Sequence, residues 1–164
     1  YSIVTQEGEI LEYTKLHPFS YSGEDRYFQG GTVLPVCEYR GYHLGVQICY
    51  DLRFPVYSRI VNENYDLLIY VASWPDRRID AWDALLKARA IENMSYVVAV
   101  NRCGTDPNEV AYSGHSQVID FMGKHIVFSL VDEQISITTL EKDPLLTARQ
   151  KFAFLNDADD FLIL

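Results

Sequence analysis

Apolar runs alternate with an amphipathic segment through the middle of the chain, and this order restricts the fold more than any other feature. Residues 67–72 and 96–101 are apolar at almost every position, as expected of parallel strands covered on both faces. Residues 80–91 between them carry apolar side chains at helical spacing, with Asp80 as the predicted N-cap. A strand, a helix and a parallel strand in succession are joined by a right-handed crossover. The pattern therefore predicts an α/β fold with a parallel core.

The flanking segments are predicted to extend this sheet. Before the core, the sequence predicts strands at 10–16 and 33–38, a polar loop at 20–25, a strand ending at Cys49 and a helix over 55–64. After it, the predicted elements are an antiparallel meander over 116–121, 125–130 and 135–140, and a helix at 143–150. No internal repeat is present, so the 164 residues are expected to form one domain. Residues 150–164 are expected to be a tail at a subunit interface.

The charge and cysteine content restrict the partners and the compartment. Acidic residues outnumber basic ones by 23 to 14, a balance not expected of a protein that binds nucleic acid or an anionic membrane. No apolar run reaches the roughly 18 residues of a membrane span. The 3 cysteines are widely spaced and form no CxxC pair, which is neither a disulfide framework nor a zinc site. These features predict a cytoplasmic protein in a reducing compartment.

Cys49 stands at a sharp transition in the sequence. Residues 45–48 read as a buried strand, polar residues follow Cys49 at once, and Pro55 is placed to open a helix. A cysteine at such a turn presents its thiol clear of the sheet, beside backbone N–H groups that can bind an oxyanion. The pattern favours a nucleophile, but most free cysteines are small buried core residues. Both interpretations stay open on this stretch alone.

Other polar side chains are predicted to surround the same edge of the sheet. The carboxyl ends of parallel strands share one rim, where ligands bind, and this places Trp74 and Asn101 beside Cys49. Lys15 follows an apolar strand and precedes a polar loop that contains Glu24 and could fold over the thiol. The alternative for Lys15 is a solvated cation at a strand end. The alternative for Glu24 is a solvated loop carboxylate.

Five motifs taken together resemble those of the nitrilase superfamily of carbon–nitrogen hydrolases. They are Lys15-Leu16-His17-Pro18-Phe19, Cys49-Tyr50-Asp51-Leu52-Arg53-Phe54-Pro55, Ser73-Trp74-Pro75, Arg89-Ala90-Ile91-Glu92-Asn93 and Ser113-Gly114-His115-Ser116. Within the superfamily the chain looks most like the ω-amidase branch, which hydrolyses the side amide of α-keto acid amides. The resemblance implies one carbon–nitrogen hydrolase domain over 1–164, with a four-layer α-β-β-α sandwich that dimerises. It also implies that roughly the first third of the family fold is absent here.

The resemblance assigns the catalytic residues. Cys49 matches the nucleophile of a Cys-Glu-Lys triad, Lys15 matches the lysine, and Glu24 matches a second glutamate that supports the lysine. The general base of the triad is a different glutamate, expected upstream of Tyr1. Lys15 is expected to lower the pKa of the thiol and, with the Tyr50 N–H, to stabilise the oxyanion. No metal or cofactor is implied.

Three residues are assigned to substrate binding by their place in the motifs: Tyr50, Arg53 and Trp74. Arg53 could bind a substrate carboxylate, or it could equally pair with Asp51 and fix the turn. Arg77 and Arg78 could attract an acidic substrate or form a solvated pair of charges. The remaining motif residues have predicted structural roles, namely an ion pair between Arg89 and Glu92 and loop anchoring by His17 and His115.

The predicted function is cysteine-dependent hydrolysis of a small amide that carries a carboxylate, such as an α-keto acid ω-amide. The reaction would pass through a thioester and release ammonia. Deaminated-glutathione amidase and N-carbamoyl hydrolase are the other enzyme activities compatible with the motifs. A non-catalytic nitrilase-like scaffold or truncated paralogue is the alternative from another class. The expected partners are the small amide and a second copy of the chain, in a homodimer or larger homo-oligomer.

Overall fold

The computed structural model describes residues 1–59, 65–129 and 133–159. The strands are β1 (Ser2–Thr5), β2 (Gly8–Glu12), β3 (Val36–Tyr39), β4 (Tyr42–Ile48), β5 (Leu67–Ala72), β6 (Tyr96–Asn101), β7 (Cys103–Thr105), β8 (Ala111–Ser113), β9 (Ser116–Ile119) and β10 (His125–Ser129). The α-helices are α1 (Pro55–Ser58), α2 (Ile79–Glu92) and α3 (Lys142–Phe152). Short 3-10 turns include Ser20–Ser22, Glu24–Arg26, Cys49–Arg53 and Asp76–Arg78. In this part of the chain no helix is long and apolar enough to cross a membrane.

A six-stranded mixed sheet organises the fold, with strand order β10-β9-β6-β5-β4-β3. Its centre is parallel, since Val46 on β4 is level with Ile69 on β5, which is level with Val98 on β6. The outer strands β3, β9 and β10 run antiparallel to their neighbours. The parallel core predicted from the continuous apolar runs is therefore confirmed. Because all three central strands run the same way, their carboxyl ends lie along one edge.

Helix α2 covers one face of the sheet and forms the larger core. Trp82 and Leu86 on the helix and Tyr70 and Val97 on the strands are fully buried there. Burying a side chain such as Leu86 is worth about 1.5–3 kcal/mol relative to leaving it in water. A smaller cluster on the opposite face packs Leu11, on strand β2 of the β1–β2 hairpin, against strand β4. The sheet is therefore packed on both of its faces at strand β4, and this packing holds its carboxyl edge in place.

Helix α3 is attached to the sheet through the buried carboxylate of Asp66. Lys142 Nζ lies 2.9 Å from Asp66 Oδ2, and Arg149 Nη1 lies 3.4 Å from Asp66 Oδ1. Arg149 also donates to the carbonyl of Tyr65 at 2.8 Å. Charged groups buried this deeply are retained only when they are paired in this way. The helix predicted at 143–150 is present, and it is slightly longer than predicted, extending over Lys142–Phe152.

Several predicted boundaries are wrong. The strand predicted at 10–16 ends at Glu12 because the following residues turn to make tertiary hydrogen bonds. The helix predicted over 55–64 ends at Ser58, where Arg59 takes an extended conformation, and residues 60–64 lie outside the described residues. Asp80 is not the N-cap, because α2 begins at Ile79 and Arg78 holds that position. Asp80 instead lies in the first turn, where a carboxylate interacts favourably with the helix dipole.

The third strand of the predicted meander is also wrong. Within residues 133–140 no strand is formed, and Ile135 and Ile137 are 91% and 92% exposed. Among the described residues no strand pairs with this segment and no layer covers these two side chains, and without such support an apolar alternation does not become a strand. The hairpin of β9 and β10 is present as predicted. Leu130, the last predicted residue of its second strand, lies outside the described residues.

Candidate active site

The turn after β4 holds Cys49 in a strained conformation. Ile48 is extended, whereas Cys49 has φ +48°, a left-handed value that non-glycine residues rarely adopt. A backbone conformation of this kind destabilises the folded state by on the order of 1–3 kcal/mol and persists only where the surrounding structure imposes it. Its Sγ lies 4.0 Å from the carbonyl oxygen of Ser73, at the end of β5. The nucleophile predicted from sequence therefore stands at a sharp turn on the carboxyl edge of the sheet.

The carboxylate of Asp51 fixes this turn. Asp51 is fully buried and accepts hydrogen bonds from the Ile48 N–H at 3.0 Å and from the Tyr13 hydroxyl at 2.7 Å. The His17 backbone N–H donates to its other oxygen at 2.9 Å, and His17 Nδ1 lies 2.9 Å from the same atom. The Tyr13 hydroxyl in turn accepts from the Leu16 N–H at 3.2 Å. One buried carboxylate thus joins the Cys49 turn to the segment 13–17.

That segment brings Lys15 to the site, because Lys15 lies between the two residues that contact Asp51. Lys15 Nζ is 2.5 Å from Glu24 Oε2, and the same oxygen accepts the Phe19 N–H at 2.6 Å. Burial favours the neutral acid, but these two donors outweigh it and hold the pKa of Glu24 below its usual value. The contact between Lys15 and Glu24 expected from the resemblance is present.

The pKa of the Cys49 thiol is raised, not lowered as the sequence predicted. Burial is the largest cause, and it outweighs the lowering effects of the Ser73 carbonyl contact and of the Lys15 charge. Lys15 acts in the predicted direction, but Glu24 and Asp51 oppose it. A thiol with a raised pKa needs a base to become the reactive thiolate. The direction of this shift therefore favours a mechanism in which a base removes the Cys49 proton.

A small cleft of about 40 Å³ opens beside the thiol. Its lining comprises Phe19, Cys49, Tyr50, Arg53, Ser73, Trp74, Pro75 and Arg78. All three predicted substrate-binding residues are in this set. Arg78 joins them, although its sequence context did not separate it from a solvated charge. Grouped His, Cys, Asp or Glu side chains that could hold a metal ion are absent from the described parts of the chain.

Arg53 and Trp74 contact each other in this cleft. The Arg53 guanidinium lies 4.9 Å from the centroid of the Trp74 ring, and no ion pair joins Arg53 to Asp51 among the described residues. Trp74 is 3% exposed and packs on Trp82, so it belongs to the core as well as to the cleft wall. Asn101 holds its backbone, accepting from the Trp74 N–H at 2.7 Å and donating to its carbonyl at 3.0 Å. The rim predicted for Cys49, Trp74 and Asn101 is confirmed.

The predicted structural roles of the other motif residues are confirmed where they are described. Arg89 Nη1 lies 3.0 Å from Glu92 Oε1, and Arg89 also donates to the Leu52 carbonyl in the Cys49 turn at 2.6 Å. His17 stacks on Phe54 at 3.9 Å, so its ring anchors the segment 13–17. A separate pair links His115 Nδ1 to Asp83 Oδ2 at 2.8 Å.

Sequence reasoning missed Tyr13 and misplaced Asp51. The sequence suggests Asp51 only as a partner of Arg53, but an acid three residues after a strand end can accept the backbone N–H of the residue that precedes the turn, as Asp51 does. That spacing was a usable signal. Tyr13 gave none, because its partner lies 38 residues away. Only the tertiary fold brings the two together.

Comparison with known proteins identifies the class of protein. The carbon–nitrogen hydrolase family model matches residues 2–149, so the chain belongs to that family. The fold agrees with that of XC1258 from Xanthomonas campestris, a CN-hydrolase superfamily protein with an arsenic adduct in its active site. Its structure matches 99% of this chain and 69% of its own at 36% identity, with a TM-score of 0.91.

Two curated relatives carry more specific names. The chain is 40% identical to omega-amidase YafV of Yersinia enterocolitica, over 99% of this chain and 63% of that protein. It is 39% identical to 2-oxoglutaramate amidase of Paenarthrobacter nicotinovorans, over 88% of this chain and 51% of that protein. The chain therefore spans less than two thirds of the length of either relative.

Proposed function

We propose that this protein is an amidase of the ω-amidase type, which releases ammonia from a small amide that bears a carboxylate. The observation that supports this most directly is the strained Cys49, held beside the Lys15–Glu24 pair by the hydrogen bonds of Asp51. A thiol nucleophile and a cation for the oxyanion are two of the groups that thiol-dependent acyl transfer requires. The names of the two curated relatives point to the same substrate class.

In the proposed reaction, the Cys49 sulfur attacks the amide carbonyl carbon after its proton has passed to a base. The negative charge that develops on the carbonyl oxygen is stabilised by Lys15 and by the Tyr50 N–H. The base then protonates the leaving nitrogen, the carbon–nitrogen bond breaks, and ammonia departs from a thioester on Cys49. Water adds to the thioester carbonyl, and the carboxylic acid leaves as the thiol is restored.

Glu24 is better suited to holding Lys15 than to acting as this base. Its Oε2 already accepts hydrogen bonds from Lys15 and from the Phe19 N–H, and its pKa is held below the usual value. An efficient base at neutral pH has a pKa near 7, well above that of such a carboxylate. The general base is therefore assigned to the separate triad glutamate that the family resemblance implies.

The test is ammonia release by the full-length protein with α-ketoglutaramate, deaminated glutathione and an N-carbamoyl amino acid as alternative substrates. We expect the highest kcat/KM for α-ketoglutaramate and no turnover by Cys49→Ala. A higher kcat/KM for either other substrate would reassign the activity within the family. No turnover of any of the three by the folded wild-type protein would favour the non-catalytic scaffold.

The proposal extends to architecture and assembly. The sheet is assigned as one of the two sheets of a four-layer α-β-β-α sandwich, and Val100, 53% exposed on the side of the sheet away from α2, supports a second layer there. The tail at 150–164 is assigned to a homodimer interface, since the rings of Phe152, at the end of α3, and of Phe154 stack at 5.3 Å and remain exposed. Sedimentation of Phe154→Ser beside the wild type tests this, with a shift toward monomer expected.

A further inference from the structure

Two arginine side chains converge on the cleft that holds the Cys49 thiol. Arg53 and Arg78 both line it, and they come from different turns, Cys49–Arg53 and Asp76–Arg78. The chain as a whole carries a net charge of −9, so a cluster of two positive side chains beside the thiol is opposite in sign to the charge of the chain. Their position therefore calls for a local explanation.

Each guanidinium is held against an aromatic ring. Arg53 Cζ lies 4.9 Å from the Trp74 centroid and Arg78 Cζ lies 5.6 Å from the Phe19 centroid. The Trp74 indole also donates to the Arg78 carbonyl at 2.8 Å, which fixes the backbone of the second arginine. An arginine placed over a ring keeps its N–H donors in the guanidinium plane, where they remain available to a ligand. Both side chains are thus positioned without their donors being consumed.

Neither arginine is neutralised by an acidic side chain of the residues that the structure describes. Among the described residues, no ion pair involves Arg53 or Arg78. Burial lowers the pKa of Arg78, and the charges of Arg77 and Arg53 lower it further, so the two cleft arginines repel each other. A bound anion would relieve that repulsion. A carboxylate is the anion of matching shape, since it accepts two parallel N–H donors from one guanidinium.

We propose that Arg78, together with Arg53, forms a subsite for the carboxylate of the substrate and that Arg78 determines selectivity for anionic over neutral amides. This inference rests on the proposed amidase function, which supplies the substrate that the subsite would orient. It concerns recognition alone and changes none of the bond-making steps at Cys49. It assigns a function to Arg78, which the family motifs leave without one.

The subsite can be tested without turnover by alkylating Cys49 in the full-length protein. Iodoacetate and iodoacetamide form the same bond to sulfur, but only iodoacetate carries a carboxylate. The ratio of their rate constants at Cys49, followed by peptide mass spectrometry, therefore reports the subsite. We expect Arg78→Gln to lower this ratio about tenfold, since a charge-assisted hydrogen bond is lost. The iodoacetamide rate serves as the internal check that the thiol and its turn are intact.

Arg77→Gln is the matched control, because it removes the same charge from the adjacent position, and Arg77 is exposed and outside the cleft lining. We expect it to change the ratio by less than about twofold, the effect of a screened surface charge. An unchanged ratio in Arg78→Gln, or an equal fall in both variants, would overturn the proposal. If α-ketoglutaramate is not hydrolysed but the ratio behaves as expected, the ω-amidase assignment fails and the carboxylate subsite stands.

Discussion

The hydroxyl of Tyr13 donates a hydrogen bond of 2.7 Å to the fully buried carboxylate of Asp51. This contact joins the segment that carries Lys15 to the turn that carries Cys49. Burial and the neighbouring Asp51 charge both raise the pKa of Tyr13, so its hydroxyl stays protonated and remains a donor at working pH. This buried pair, together with the contacts of His17 to the same carboxylate, thus sets the relative position of the cation and the thiol.

Replacing Tyr13 by Phe should destabilise the protein and loosen the site. Asp51 would lose a buried donor, and the Leu16 N–H would lose its acceptor. We expect a loss of about 1–3 kcal/mol in the free energy of unfolding. Urea denaturation measures it, with Tyr21→Phe as the control because Tyr21 is 79% exposed. Equal stability of the two variants would mean that Asp51 does not depend on Tyr13.

Replacing Lys15 by Ala should reduce kcat much more than replacing an exposed lysine such as Lys87. Loss of an oxyanion donor costs about 10²–10³ in kcat in other enzymes. Lys15→Arg should not restore the rate, because a planar guanidinium does not fit a site built for a point charge. Steady-state assays of ammonia release decide this, and a loss below tenfold would remove Lys15 from the oxyanion site.

The same lysine should govern the reactivity of the thiol. Burial raises the pKa of Cys49 and the Lys15 charge partly offsets this, so Lys15→Ala should raise it further. Less thiolate at neutral pH means slower alkylation by iodoacetamide. The pH dependence of the alkylation rate at Cys49 measures the change. An unshifted curve in Lys15→Ala would show that the charge of Lys15 does not reach the thiol.

Glu24 should make stability depend on pH. Its folded pKa lies below the ordinary value of 4.5, so its contribution to stability is complete above that pH. The contribution is lost as the pH falls through the lower, folded pKa. The stability difference between wild type and Glu24→Gln should therefore shrink on acidification from pH 5. Glu7→Gln, at an exposed position, is the control. A difference that grows on acidification would contradict the assignment.

The sequence predicted the parts of the fold that depend on local pattern. Continuous apolar runs predicted the parallel strands, and the position of Cys49 after a buried strand predicted the turn and its thiol. The unpaired segment at 133–140 could not be distinguished from a strand, because pairing depends on a neighbour that the pattern does not specify. The raised pKa of Cys49 also escaped prediction, since burial is a property of the assembled site.

The two arginines beside the Cys49 thiol also show that a functional site cannot be predicted from local sequence pattern alone. In the sequence, Arg77 and Arg78 are adjacent and chemically identical. In the fold, only Arg78 lines the cleft, beside the ring of Phe19, while Arg77 is exposed. The difference comes from the 3-10 turn that opens α2 and from the distant segment that supplies Phe19. Residue type alone could not separate the two.

The most direct test of the central claim is to trap the acyl-enzyme. The full-length protein would be mixed with α-ketoglutaramate, quenched in acid during turnover and digested. The mass of the peptide that contains Cys49 would then be measured by mass spectrometry. The account predicts a Cys49 peptide that is heavier by the acyl group of the substrate and loses this group on treatment with hydroxylamine. In Cys49→Ala, both the acylated peptide and the release of ammonia should be absent. Ammonia release that persists in Cys49→Ala, or an acyl group found on Cys37 or Cys103 instead, would contradict it.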